Sequence, residues 1–126
     1  MEPESAPRDN RNDLARALAR FLDESGAQHV LALDISAQSS FADCFVIAGA
    51  SSQAQLGGFH RRAEEFLRER GVFPRNHRKR GDESGWLLLD CDSLVVHLML
   101  KDIREFYDLE RLWFDAELLW QAENAP

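Results

Sequence analysis

From Asn12 onward, Leu14, Ala17, Leu18, Phe21 and Leu22 fall at i, i+3, i+4, i+7 and i+8. That spacing puts one apolar stripe on a helix, which Gly26 ends in a left-handed cap. Val30 to Ile35 and Cys44 to Ala48 are short, nearly continuous apolar runs, the pattern of strands buried on both faces, with a polar connection from Ser36 to Asp43 between them. Gly49 is read as breaking the second strand. Ser52, with Gln55 three residues on, then forms a capping box for a helix carrying Leu56, Phe59, Ala63, Phe66 and Leu67, closed at Arg70-Gly71. A further strand from Val72 completes what looks like a crossover connection.

Trp86 to Asp90 and Leu94 to Leu100 are two more strand runs, joined by Cys91-Asp92-Ser93 into an antiparallel hairpin. The last strand is apolar in both phases, with Leu94, Val96, Leu98 and Leu100 on one side and Val95, His97 and Met99 on the other, so both of its faces need covering. Asp102, with Glu105, caps a short helix through Tyr107. Asp108 caps a final helix striped by Leu109, Leu112, Trp113, Ala116, Leu119 and Trp120. Residues 1–11 are polar and proline-bearing and read as a disordered lead. The expectation is a single α/β domain over residues 12–123, with a mixed five-stranded sheet and about four helices.

Composition narrows the function classes. A chain of 126 residues with 44% hydrophobic and 29% charged residues is a soluble globular domain. No apolar run approaches the roughly 20 residues that cross a bilayer, and the start lacks the blocks of a secretory signal, so a cytoplasmic location is expected. Cys44 and Cys91 show no metal-ligand spacing, which argues against a disulfide framework or a zinc site. A net charge of −7 disfavours bare nucleic acid as the main partner. The local exception is Arg75, His77, Arg78, Lys79 and Arg80, either a solvated arm or a minor contact with RNA phosphate.

Asp34, Asp43, Asp90 and Asp92 lie at strand ends, where a two-metal phosphoryl-transfer enzyme keeps its ligands, and Asp90-Cys91-Asp92 has D-x-D spacing. One reading is therefore a metal-dependent nucleotidyltransferase-like enzyme or phosphohydrolase using Asp43, Asp90 and Asp92. The other is turn chemistry, since alternate aspartates bond their own backbone. Gly49-Ala50-Ser51-Ser52 suits a phosphate at a helix start or an ordinary cap. No P-loop, H-E-x-x-H or G-x-S-x-G motif is present, and His29, His60 and His77 have no motif around them, so no catalytic residue, cofactor or metal is assigned. His97, in mid-strand, reads as a core or interface group. Trp86, Phe106, Tyr107, Trp113, Phe114 and Trp120 load the second half with aromatics, suited either to interface anchors or to core filling.

Four blocks, Ala42 to Ile47, Trp86 to Asp90, Val95 to Met99 and Arg104 to Trp113, closely resemble the ribosomal silencing factor (RsfS, or Iojap) family in order and interval, over roughly Leu14 to Leu119. The resemblance implies a nucleotidyltransferase-like fold without catalytic residues. It further implies a translational repressor that binds the large ribosomal subunit through that subunit's protein fourteen and blocks joining with the small subunit. Family members are often dimers, so a homodimer is also implied as a partner state. Trp86 and Asp90 match the family's W-x-x-x-D strand, and His97 and Met99 its V-V-H-x-M strand. Tyr107, Leu109, Glu110 and Trp113 match its Y-x-L-E-x-L-W block, which together give the expected partner-binding set. Two segments depart from the pattern: Lys79-Arg80-Gly81 stands where the family has an E-G pair, and Gln53 to Gly58 is atypical for its helix start.

Overall fold

In a computed structural model of the chain, residues 8–40, 42–75, 84–108, 111 and 115–122 are described. In chain order the elements are α1 (Arg8–Glu24), β1 (Gln28–Asp34), β2 (Cys44–Ala50), α2 (Gln53–Glu69), β3 (Trp86–Cys91), β4 (Leu94–Leu100), α3 (Lys101–Tyr107) and β5 (Glu117–Gln121). They build a mixed five-stranded sheet in the order β3-β4-β2-β1-β5. Its one parallel pair is β2 with β4, joined by the crossover that contains α2.

The local signals that set the two long helices behave as the sequence implies. Gly26 takes φ 103°. Ala27 N–H then reaches Leu22 O and Gly26 N–H reaches Asp23 O, both at 3.0 Å, the bond pair of a Schellman cap. Ser52 Oγ accepts from Gln55 N–H at 3.1 Å, and Gln55 Oε1 accepts from Ser51 N–H at 2.9 Å, so the capping box closes one residue earlier than its usual form. In α1 the buried stripe is rotated from the expected one. Ala15, Leu18, Ala19 and Leu22 are fully buried, whereas Ala17 faces solvent. Two alanines toward the sheet let the helix lie close to it. The helix also begins at Arg8, so Arg8 to Arg11, expected in the lead, are helical; residues 1–7 lie outside the described residues.

Three expectations are corrected. Gly49 does not break β2, which runs through Ala50. The strand expected from Val72 is absent over the described residues 72–75: Pro74 removes a ladder donor there, and these residues instead run past the edge of β3, where Arg75 N–H bonds Asp90 O at 2.7 Å. The fifth strand comes from the segment expected to be the end of a final helix. Glu117–Gln121 pairs antiparallel with β1, matching Leu33 to Leu118 and Ala32 to Trp120. Leu118 and Leu119 then point to opposite sides, Leu119 buried and Leu118 exposed, and the otherwise open edge of β1 is paired. The described helices accordingly number three.

The sheet carries a core on each face. Helices α1 and α2 cover one, burying Val30, Val46, Leu87, Leu89, Leu94, Val96 and Leu98. The other face buries Leu33, Phe45, Ile47 and Met99, with Trp86, Val95 and Ile103 packed at its margin. Helix α3 is tied to this second face by Arg104, only 8% exposed, whose Nη1 donates to Gln28 O at 3.1 Å. Gly49 lies beneath that strap, where an added Cβ would stand 3.2 Å from Gln28 O and 3.5 Å from Arg104 Nη1. The missing side chain is what lets the guanidinium reach across β2. Gly49→Val is expected to cost about 1–3 kcal/mol, the usual range for overpacking, measured as a lowered urea midpoint at unchanged slope. A variant as stable as the parent would show that the strap does not need this space.

Candidate docking surface

Strand β3 alternates strictly. Leu87, Leu89 and Cys91 turn toward the helices and are buried, while Trp86, Leu88 and Asp90 turn to the other face. The antiparallel register sets Trp86, Leu88 and Asp90 opposite Met99, His97 and Val95 of β4. The parallel register continues those rows to Gly49, Ile47 and Phe45 of β2. An apolar face is thus built across three strands, and among the described residues no long helix covers it.

Rings close it instead. Trp86 Nε1–H donates to His97 Nδ1 at 3.2 Å. The imidazole stands edge-on to Phe45 with centroids 4.4 Å apart. On its other side the indole packs against Tyr107 at 4.9 Å, and Tyr107 meets Phe106 edge-on at 5.0 Å. This run of aromatics passes from buried Phe45 out to Phe106, which is 79% exposed, through Tyr107 at 50%. Helix α3 is positioned for it by Gly85, whose φ of 83° brings its carbonyl onto Leu100 N–H at 2.9 Å. A Cβ there would meet Ile103 at 3.0 Å. Leu100 is the N-cap residue of α3; Asp102, expected to cap, lies in the first turn.

The structure brings Trp86, His97, Met99 and Tyr107 together, as expected, but gives them different roles. Met99 is fully buried and His97 only 7% exposed, so both lie beneath the surface as its support. Trp86 and Asp90 are half-buried on the face itself. Leu109, Glu110 and Trp113 lie outside the described residues. Two surface members were absent from the expected set: Leu88, 40% exposed beside Trp86, and Phe106. Strand alternation was signal enough for Leu88, since it shares the phase of Trp86.

Asp34 and Asp90 bond nearby backbone, and Asp92 pairs with Arg75. Asp90 Oδ1 accepts Asp92 N–H at 3.0 Å across the β3–β4 turn, where Asp92 takes φ 72°. Asp92 Oδ1 is 3.1 Å from Arg75 Nη1. Asp34 Oδ1 accepts from Ser36 N–H and Oγ at 2.9 and 2.6 Å. Among the described residues no group of three or more His, Cys, Asp or Glu side chains is placed to hold a metal ion. Both cysteines are buried thiols, and Cys44 Sγ donates to Asn12 Oδ1 at 3.1 Å. Burial, with the Asp90 charge adding to it, pushes the Cys91 thiol up to about 11, so it is protonated at neutral pH and a poor nucleophile.

His97 is held neutral. Burial lowers its pKa from 6.5 to about 4, and Nδ1, acting as acceptor from Trp86, places the ring proton on Nε2. An unfolded chain protonates this histidine near 6.5, while the folded one resists until about 4. Stability is therefore full above pH 6.5 and falls as pH drops through that window, by up to roughly 3 kcal/mol. Urea titrations between pH 7 and 4 are expected to show this slope and to show it flattened in His97→Leu. An equal slope in that variant would assign the pH dependence to other groups.

Among the described residues no helix is long and apolar enough to cross a membrane. The model of the family described as "Ribosomal silencing factor during starvation" matches residues 8–125. The chain is 39% identical over 106 residues to the ribosomal silencing factor RsfS of Treponema pallidum, covering 83% of this chain and 94% of that one. It is 34% identical over 109 residues to the RsfS of Bacillus subtilis, covering 86% and 92%. A crystal structure of a Chromobacterium violaceum protein superposes with a TM-score of 0.73 at 27% identity, covering 86% of this chain and 88% of that one. With its fold and most of its length matched in this way, the chain belongs to the ribosomal silencing factor (RsfS) family.

Proposed function

We propose that this protein represses translation by docking on the large ribosomal subunit, through that subunit's protein fourteen, and by standing where the small subunit would join. The observation that carries this reading is the half-open aromatic cluster of Trp86, Tyr107 and Phe106 with Leu88 beside it. Large, partly exposed rings held by buried neighbours are the usual anchors of a protein interface. Trp86 is the central anchor. His97 and Met99 hold it from below, Asp90 stands at the margin, and Leu109, Glu110 and Trp113 extend the contact along the chain from Tyr107.

The mechanism is steric and needs no chemistry. A net charge of −7 suits a basic ribosomal protein as partner. The Arg75–Arg80 run adds, at most, a minor contact with ribosomal RNA. The same face would also serve a homodimer, and the site of action is the cytoplasm. A nucleotide-handling enzyme built on Asp43, Asp90 and Asp92 is the less favoured reading, since Asp90 and Asp92 already serve the hairpin turn and the Arg75 pair.

Sedimentation of the purified protein with separated subunits tests the reading. It is expected to comigrate with large subunits alone and to lower the yield of joined ribosomes. Trp86→Ala and Tyr107→Ala are each expected to cost about 2 kcal/mol of binding, whereas Asp43→Ala leaves repression intact. Absence of comigration at near-physiological salt, or metal-dependent nucleotide binding in calorimetry, would overturn it.

A further inference from the structure

Beside the ring cluster, one row down the sheet, lies an open cavity of about 320 Å³. Its floor is Phe45, Val95 and His97, Leu88 forms one wall, and Asp90, Asp92 and Arg75 make the rim. We infer that this cavity receives a basic side chain, lysine or arginine, from the protein partner, with its aliphatic stem on Leu88 and Val95 and its cation between Asp90 and Asp92. The inference rests on the docking reading above and adds to it the chemistry of one contact.

Three features support it. The rim already holds a cation of the right kind: the Arg75 guanidinium lies 3.1 Å from Asp92 Oδ1, with both side chains largely exposed, so the chain's own arginine stands in for the guest. A long basic side chain combines an apolar stem with a charged head, matching an apolar wall under a carboxylate rim. His97 does not oppose it, because burial keeps the ring neutral near pH 7.

Arg75 is then an internal competitor, seated where the partner's cation must go. It lies in the stretch after α2 and is anchored by its own N–H to Asp90 O, so the pair forms without cost to the sheet.

The test is the affinity of the full chain for purified large subunits over a range of salt, for the parent and three variants. Asn tolerates the left-handed backbone at 92 and keeps the oxygen that accepts Asp92 N–H at 90, so the Asp90→Asn/Asp92→Asn double variant preserves the turn. It is expected to bind about tenfold more weakly, with a flatter salt dependence. Arg75→Ala is expected to bind severalfold more tightly, and does not depend on the double variant folding. Tyr107→Ala separates the two ideas. If the parent binds and Tyr107→Ala does not, while the Asn double variant binds like the parent, the cavity inference is overturned and the docking reading stands. If Arg75→Ala binds more weakly, Arg75 is itself a partner contact and the inference fails. If the double variant alone shifts from dimer to monomer in sedimentation, the guest is a second copy of this chain and the inference is likewise overturned. No binding by the parent removes the docking reading itself.

Discussion

Strand β4 is apolar in both phases, and a strand of that kind stays folded only if both of its faces are kept from water. Two amphipathic helices are available. Both α1 and α2 lie on the face that carries Leu94, Val96 and Leu98, which leaves Val95, His97 and Met99 to be covered from elsewhere. The seven-residue α3 shields only one end of that second face. Among the described residues the remaining cover comes from Ile35, Ala42 and Ala116 of the connecting segments and from the Trp86 indole laid beside His97 at the edge.

The solution explains why a histidine is acceptable in that layer. A buried imidazole has to be neutral and bonded, and the Trp86 N–H supplies the bond to Nδ1 while fixing the tautomer. In return His97 fixes the indole, which is also braced by Tyr107. A ring held from both sides loses little freedom on meeting a partner. Preorganisation of this kind lowers the entropic cost of association rather than adding contacts.

Much of this was legible in the sequence, because much of it is local. Gly26, the Ser52–Gln55 box and the Asp92 turn each act within a few residues, and the two-residue period of β3 and β4 puts Trp86, His97 and Met99 on one face without any tertiary knowledge. What was hidden depended on distant partners. The Leu-rich segment ending at Gln121 fits a helical stripe as well as a strand, and only the unpaired edge of β1 decides between them. Gly49 looked like a strand breaker because its purpose, room for Arg104 from α3, lies 55 positions away in the chain and in a different element. The split of the site into support and surface was hidden for the same reason. Residue type makes Met99 and Leu88 equally apolar, and burial makes one a floor and the other a wall.

That split bears on how the face should be dissected. Trp86 belongs to both layers: it covers Met99 and bonds His97, and it also reaches the surface. Truncating it removes the proposed docking anchor and at the same time uncovers a buried imidazole, so a loss of binding there mixes two causes. Leu88, Tyr107 and Phe106 carry surface with far less of the core beneath them, as their exposures of 40%, 50% and 79% indicate. Binding lost at these three while the unfolding midpoint holds would belong to the surface alone. Binding lost only together with stability would place the contribution in the layer below. The arrangement makes docking and folding separable at the rim of the aromatic cluster and inseparable at its centre, because one ring was asked to close the core and to present it.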